Sequence, residues 1–274
     1  MRLEQRVFQN LNGNLSDISR YVNNFRSGSQ VFAYQTGDYL YIGTVLPMNH
    51  IYFDMKVANT AAANVKVEIW YNLEWTDAVD VEDDTDGLKQ NGLVFFGPQF
   101  NRGWNMQCYS KDVIGLENTE IYDMYWTRIS WDADLDALTE INYVGQKFSD
   151  DDILFAWFPD LDQDNMKASF QTGKTTWDEQ HFMASEFIVK DLLKRDILKT
   201  RQQILDPYEF KDAAAYKCAE FIYSALGRPY FDQMANARER YKEEMNMRFF
   251  KTDKNATGRL ESVERVISTR FLGR

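Results

Sequence analysis

The sequence predicts an α+β chain: an antiparallel β-sandwich in the first half and an α-helical bundle in the second. Three observations carry this. Apolar residues alternate with polar ones in short segments up to about residue 150, and turn residues separate those segments. After that point the apolar spacing changes to a helical period, with helix start and stop signals at its ends. Hydrophobic residues make up 44% of 274, enough for real cores, and aromatics reach 15%, which favours packed strands and interfaces.

Residues 1–37 are polar and mixed, with a turn at Leu11-Asn12-Gly13-Asn14, and are expected to form an arm. The sandwich is expected over 38–150. His50–Val57 places Ile51, Phe53, Met55 and Val57 on one face and Tyr52, Asp54 and Lys56 on the other. Asn64–Tyr71 repeats this, with Val65, Val67, Ile69 and Tyr71 opposite Lys66, Glu68 and Trp70. Asp38–Val45, Gly92–Phe96, Met124–Trp131 and Glu140–Gly145 complete the strands, with turns such as Thr85-Asp86-Gly87 and Gly97-Pro98 between them. Trp70 beside Lys66 and Glu68 on a polar face marks a candidate interface.

The helical domain is expected over 151–274. Thr176 and Glu179 have capping-box spacing ahead of a helix through Trp177, Met183, Ala184, Phe187, Ile188 and Leu192. Asp206-Pro207 opens a second helix, with an apolar stripe of Tyr208, Ala215, Ala219, Ile222 and Leu226 and with Gly227 at its C-terminal cap. A third runs from about Pro229 to Phe250, with Met234, Met245 and Met247 expected on its surface. A last helix starts near Glu261.

Composition narrows the function. The net charge is −11; residues 1–150 hold 21 acidic against 11 basic side chains, whereas 151–274 hold 21 against 20. Such a balance opposes duplex-DNA binding but suits a channel wall that DNA slides past. Met1–Gln9 lacks the apolar stretch of a secretion signal, and no run is long enough to span a membrane. Cys108 and Cys218 lie in different halves and are expected to stay reduced.

No nucleophile, phosphate-loop or zinc-protease motif occurs, and the two histidines, His50 and His181, sit in unrelated contexts, so no enzyme and no cofactor is expected. Asp80, Glu82, Asp83, Asp84 and Asp86, and separately Asp160–Asn165, are acidic runs better explained by solvation than by ion binding. Asp253–Glu264 has the outline of a calcium loop, with Asp253, Asn255, Thr257 and Glu264 as candidate ligands and Gly258 at the bend. Thr257 and the positive Arg259 weaken it, and a capped turn between two helices is favoured.

Tyr39-Leu40-Tyr41-Ile42-Gly43, Ile51-Tyr52-Phe53-Asp54, Val67–Asn72 with Trp75, Gly87–Gly92 and Tyr125–Ser130 resemble a β domain of tailed-bacteriophage virion proteins. Trp177–His181, Leu205-Asp206-Pro207 and Ile222–Gly227 are similar to helical head–tail connector (neck or adaptor) proteins. The resemblance implies a structural virion protein made in the bacterial cytoplasm. It would form a homo-oligomeric ring of about twelve copies that joins the portal to tail or other neck proteins and passes DNA during ejection. The alternative is a carbohydrate-binding or receptor-binding module of a phage tail, with Trp70 as its stacking platform.

Overall fold

A computed structural model describes residues 4–26, 28–99, 104–247, 250–251, 253 and 265–266. The chain divides into two compact units, Met1–Gly145 with Asp253–Glu261, and Gln146–Thr252 with Ser262–Arg274. The α+β class is as the sequence predicts.

The first unit holds β1 (Gln5–Leu11), β2 (Asn14–Asp17), a short helix α1 (Ser19–Val22), β3 (Gln30–Val31), β4 (Tyr39–Thr44) and β5 (His50–Val57). It continues with β6 (Val65–Tyr71), β7 (Glu74–Asp77), β8 (Val79–Asp83), β9 (Gly92–Gly97), β10 (Met106–Tyr109), β11 (Tyr122–Trp131) and β12 (Glu140–Gly145). One sheet runs β2-β1-β4-β11-β6-β7, with β10 added beside β11; the other runs β3-β12-β5-β9-β8. The pairings among them are antiparallel.

Between the sheets lies a core of Val7, Leu40, Ile42, Val67, Ile69 and Ile129 from the first sheet and Ile51, Phe53, Val94, Phe96, Ile141 and Val144 from the second. The period-two assignments of Ile51, Phe53, Val67 and Ile69 are thus correct.

The expected N-terminal arm is instead part of the sandwich. β1 pairs with β4 from Gln5↔Thr44 to Asn10↔Tyr39. Phe32 and Tyr34 are buried against Trp131. The Tyr34 hydroxyl donates to Trp131 O at 2.7 Å and accepts from Trp131 N at 2.8 Å, which closes the end of β11.

The second unit contains α2 (Asp151–Trp157), α3 (Asp164–Phe170), α4 (Asp178–Lys194), α5 (Lys211–Leu226) and α6 (Phe231–Met247). α5 packs against the other four and is buried nearly all round. Ala213, Ala214, Ala215 and Ala219 let neighbouring helices approach it closely. The Asp206 carboxylate accepts from Tyr208 N at 3.1 Å, Pro207 opens a 3-10 turn to Phe210, and Gly227 caps α5 with φ +86°.

Other terminal details differ from expectation. No capping box forms at Thr176; its hydroxyl donates to Asp178 instead, at 2.8 Å. Met245 is buried in the helical core rather than on the surface. Phe250–Lys251 (β13) and Arg265–Val266 (β14) pair antiparallel, so these described positions are strand and not helix, and the rest of the helix expected from Glu261 lies outside the described residues. The calcium-loop candidates Asn255, Thr257 and Glu264 lie outside the described residues.

Candidate functional site

The three candidate interface residues alternate along β6, and the fold buries Glu68 and Trp70 while Lys66 stays half exposed. Segment 106–121, which contains β10, lays Val113 and Leu116 over the outer face of the first sheet. There they join Phe8, Tyr41, Trp70, Met124 and Trp126 in a second core. Trp70 is 0% exposed, its indole N–H donates to Gln107 Oε1 at 3.2 Å, and its ring meets Trp75 edge-on at 5.0 Å. The expectation of a surface Trp70 is therefore overturned: the sheet is covered on both faces, and alternation no longer separates wet from dry.

Glu68 is buried as well. It accepts a two-pronged pair from Arg128, Nε to Oε2 at 2.6 Å and Nη2 to Oε1 at 2.9 Å. The Arg128 guanidinium lies over the Tyr39 ring at 4.3 Å and the Trp75 ring at 4.8 Å. Burial of Arg128 opposes its charge, but the Glu68 hydrogen bond and charge outweigh this and raise its pKa. Lys66 is half exposed and bridges Asp77 at 2.9 Å and Glu68 at 3.4 Å. This is a closed ion network seated on aromatics, and its charges have internal partners.

In the acidic runs Asp80, Glu82, Asp84 and Asp86 are exposed, while single members shape the local fold. Asp83 accepts from Thr85 N and Gly87 N, both at 2.9 Å, and shapes the β8–β9 turn. Asp160 accepts the Tyr223 hydroxyl, and Asp162 pairs with Lys167. After β11, Asp132, Asp134 and Asp136 each accept a backbone N–H at 2.7 Å, from Asn64, Thr36 and Thr60 respectively. Side-chain hydrogen bonds from Asn64 to Asp132 and from Thr60 to Asp136, the Thr36 N–H to Asp134, and the remaining donors of these residues hold all three carboxyls below their usual pKa.

In the helical unit, Ser149 Oγ stands 2.8 Å from His181 Nδ1, and His181 Nε2 stands 3.1 Å from Asp151 Oδ1. Because the Asp151 carboxylate only accepts, Nε2 carries the proton and Nδ1 accepts from the serine. These are the side chains of a nucleophilic triad, but His181 is 0% exposed and Ser149 is buried too. Asp151 also accepts Trp177 N at 3.1 Å. Burial lowers the pKa of His181 and keeps the ring neutral. The network joins the start of α2 to the start of α4. Among the described residues no group of three or more His, Cys, Asp or Glu is arranged to hold a metal.

Several large apolar side chains also face outward. Trp157, Met183, Phe187, Tyr208 and Phe231 are exposed on the helical unit, and Leu73, Met106, Ile114, Tyr122 and Leu138 on the sandwich. Tyr208, counted into the α5 stripe, instead faces solvent. Met183 and Phe187 were likewise counted into the apolar stripe of α4 and are instead exposed, whereas Trp157 and Phe231 sit at helix ends, where period gives no face.

These features define a two-unit α+β chain whose buried polar groups are paired within the fold and whose surface carries, beside its acidic loops, several exposed aromatic and aliphatic side chains. No family model matches the chain, nor does any curated protein or solved structure. Among the described residues no helix is long and apolar enough to cross a membrane.

Proposed function

We propose that the chain is a non-catalytic assembly subunit, a ring-forming neck component of a tailed-phage virion that joins the portal to the tail. The observation that carries this is the exposed set Trp157, Met183, Phe187, Tyr208 and Phe231 on one helical unit. Single exposed apolar residues are ordinary, but several large ones on a small helical bundle favour contact with other chains. The resemblance of the helical half to connector proteins supplies the kind of assembly, and a net charge of −11 suits a channel that must not retain DNA.

The carbohydrate alternative loses its platform with Trp70 buried. Ring contacts are heterologous, so each copy presents two different patches to its two neighbours. Cryo-electron microscopy of purified particles tests the reading. A closed ring of this chain around the DNA axis, between capsid vertex and tail, is the expected result. Particles that lack the chain, or carry it as separate spikes, overturn it.

A further inference from the structure

Helix α4 shows solvent one narrow stripe. Its fully exposed positions are Met183, Phe187, Lys190 and Lys194, whose spacing stacks them on one face. Phe187 is half open yet held in place: it meets Phe221 edge-on at 6.0 Å and Tyr241 at 5.9 Å, and Lys217 Nζ lies 3.7 Å from its ring centre. A rigid aromatic anchors a partner at little entropic cost. The charges around the stripe leave a positive surplus. From Glu186 to Arg201 there are five basic and three acidic side chains. Arg201 pairs with Glu186 and Arg195 with Asp191, while Asp196 and Lys199 lie beyond the helix end. On the neighbouring helices Lys217 and Arg238 share Glu220, and Lys242 reaches Glu239. Lys190 and Lys194 have no carboxylate partner among the described residues.

The β8 edge of the sandwich has the opposite character. Its register with β9 shifts between Val79 and Glu82, and Asp80 takes φ +54°, so residues 80–82 bulge and are exposed together. Val81, 37% exposed, stands between two carboxylates. Residues 77–89 hold six acidic side chains and one basic, Lys89, which bridges Asp86. Lys66 bridges Asp77, whereas Asp80 and Glu82 have no basic partner among the described residues. A bulged edge does not extend its sheet, so the feature is a knob rather than a strand template. We propose that this knob docks on the α4 stripe of a second copy of the chain, with Val81 on Phe187 and with Asp80 and Glu82 reaching Lys190 and Lys194. The chain thus supplies its own complement in charge and apolarity. Knob and stripe are different patches, so each copy holds one neighbour through either. The inference rests on the assembly reading and names one contact of that assembly.

Disulfide cross-linking of the full chain tests it. Cys108→Ser removes the exposed native thiol, and Val81→Cys is combined with Met183→Cys. Mild oxidation should give a ladder of covalent dimers and longer chains. Its yield should be at least fivefold above that of a Val81→Cys and Ser224→Cys control, at an exposed position of α5. Lys190→Glu with Lys194→Glu should remove the excess. Adding Asp80→Lys with Glu82→Lys should bring it back, a rescue that loss of structure cannot mimic. The proposal is overturned if the yield equals the control, if charge reversal leaves it unchanged, or if the product is a cross-linked monomer. Circular dichroism checks that each variant is folded. Microscopy of particles separates the two readings: a ring without a ladder sinks this contact alone, and a ladder from a chain absent from the neck upholds the contact without the virion reading.

Discussion

Trp70 sets the energetic scale of single residues here. Its indole fills the second core of the sandwich together with Trp126 and Phe8. A Cβ added at Gly43 would come within 2.7 Å of the Trp126 ring, so there is no slack for rearrangement. Trp70→Ala should cost about 3–5 kcal/mol in denaturant unfolding of the sandwich, as large aromatic deletions do. A cost below about 1 kcal/mol would mean that the second core is not formed. His50 makes a different prediction. Burial lowers its pKa to about 4, so the folded unit keeps it neutral while the unfolded chain protonates it near its ordinary value of 6.5. The unfolded state thus binds more protons between these values, and stability falls as pH drops from about 6.5 to 4. His50→Leu should flatten that window for the sandwich transition, leaving the further loss below about pH 4 that comes from Asp132, Asp134 and Asp136. An unchanged pH profile in calorimetry would refute this.

Helix ends show best how far a sequence can be followed. Asp206-Pro207 announced its turn because cap and capped group are two residues apart. The start of α4 did not, because the acceptor for Trp177 N is Asp151, 26 residues earlier, which also holds His181. A cap borrowed from another helix leaves no local spacing. Asp151→Ala removes both partnerships and leaves buried donors unsatisfied, which should cost about 1–3 kcal/mol. Asp206→Ala should cost about 0.5–2 kcal/mol through its cap alone. Thr176→Ala should cost less than Asp151→Ala; the reverse order in thermal unfolding would restore the local capping box. Strands follow the same logic. The six strands expected from alternation all form, whereas β1, β2, β3, β7, β8 and β10 were missed. All of these but β1 pair on one side only, and they are short and carry polar residues that alternation cannot separate from loop. The candidate site was legible in part: Lys66 and Glu68 do share a charged cluster, but nothing within β6 signals that segment 106–121 covers Trp70.

At the scale of the whole molecule, the sandwich cores and the helical core have no side chain in common. Calorimetry should therefore resolve two transitions. Trp70→Ala should lower only one of them and Asp151→Ala only the other; a single transition moved by both variants would show that the units unfold together. The aromatic helical surface belongs to this scale too, since it gains meaning only from what covers it. The two cysteines differ in a way that has practical weight. Cys218 is fully buried, and desolvation raises its thiol pKa well above the usual value, whereas Cys108 is exposed on β10. Near neutral pH a maleimide should therefore react at one position per chain. The protein comes with a built-in handle: a dye or gold cluster on Cys108 reports the position of each sandwich in any larger particle, and counting the labels counts the copies.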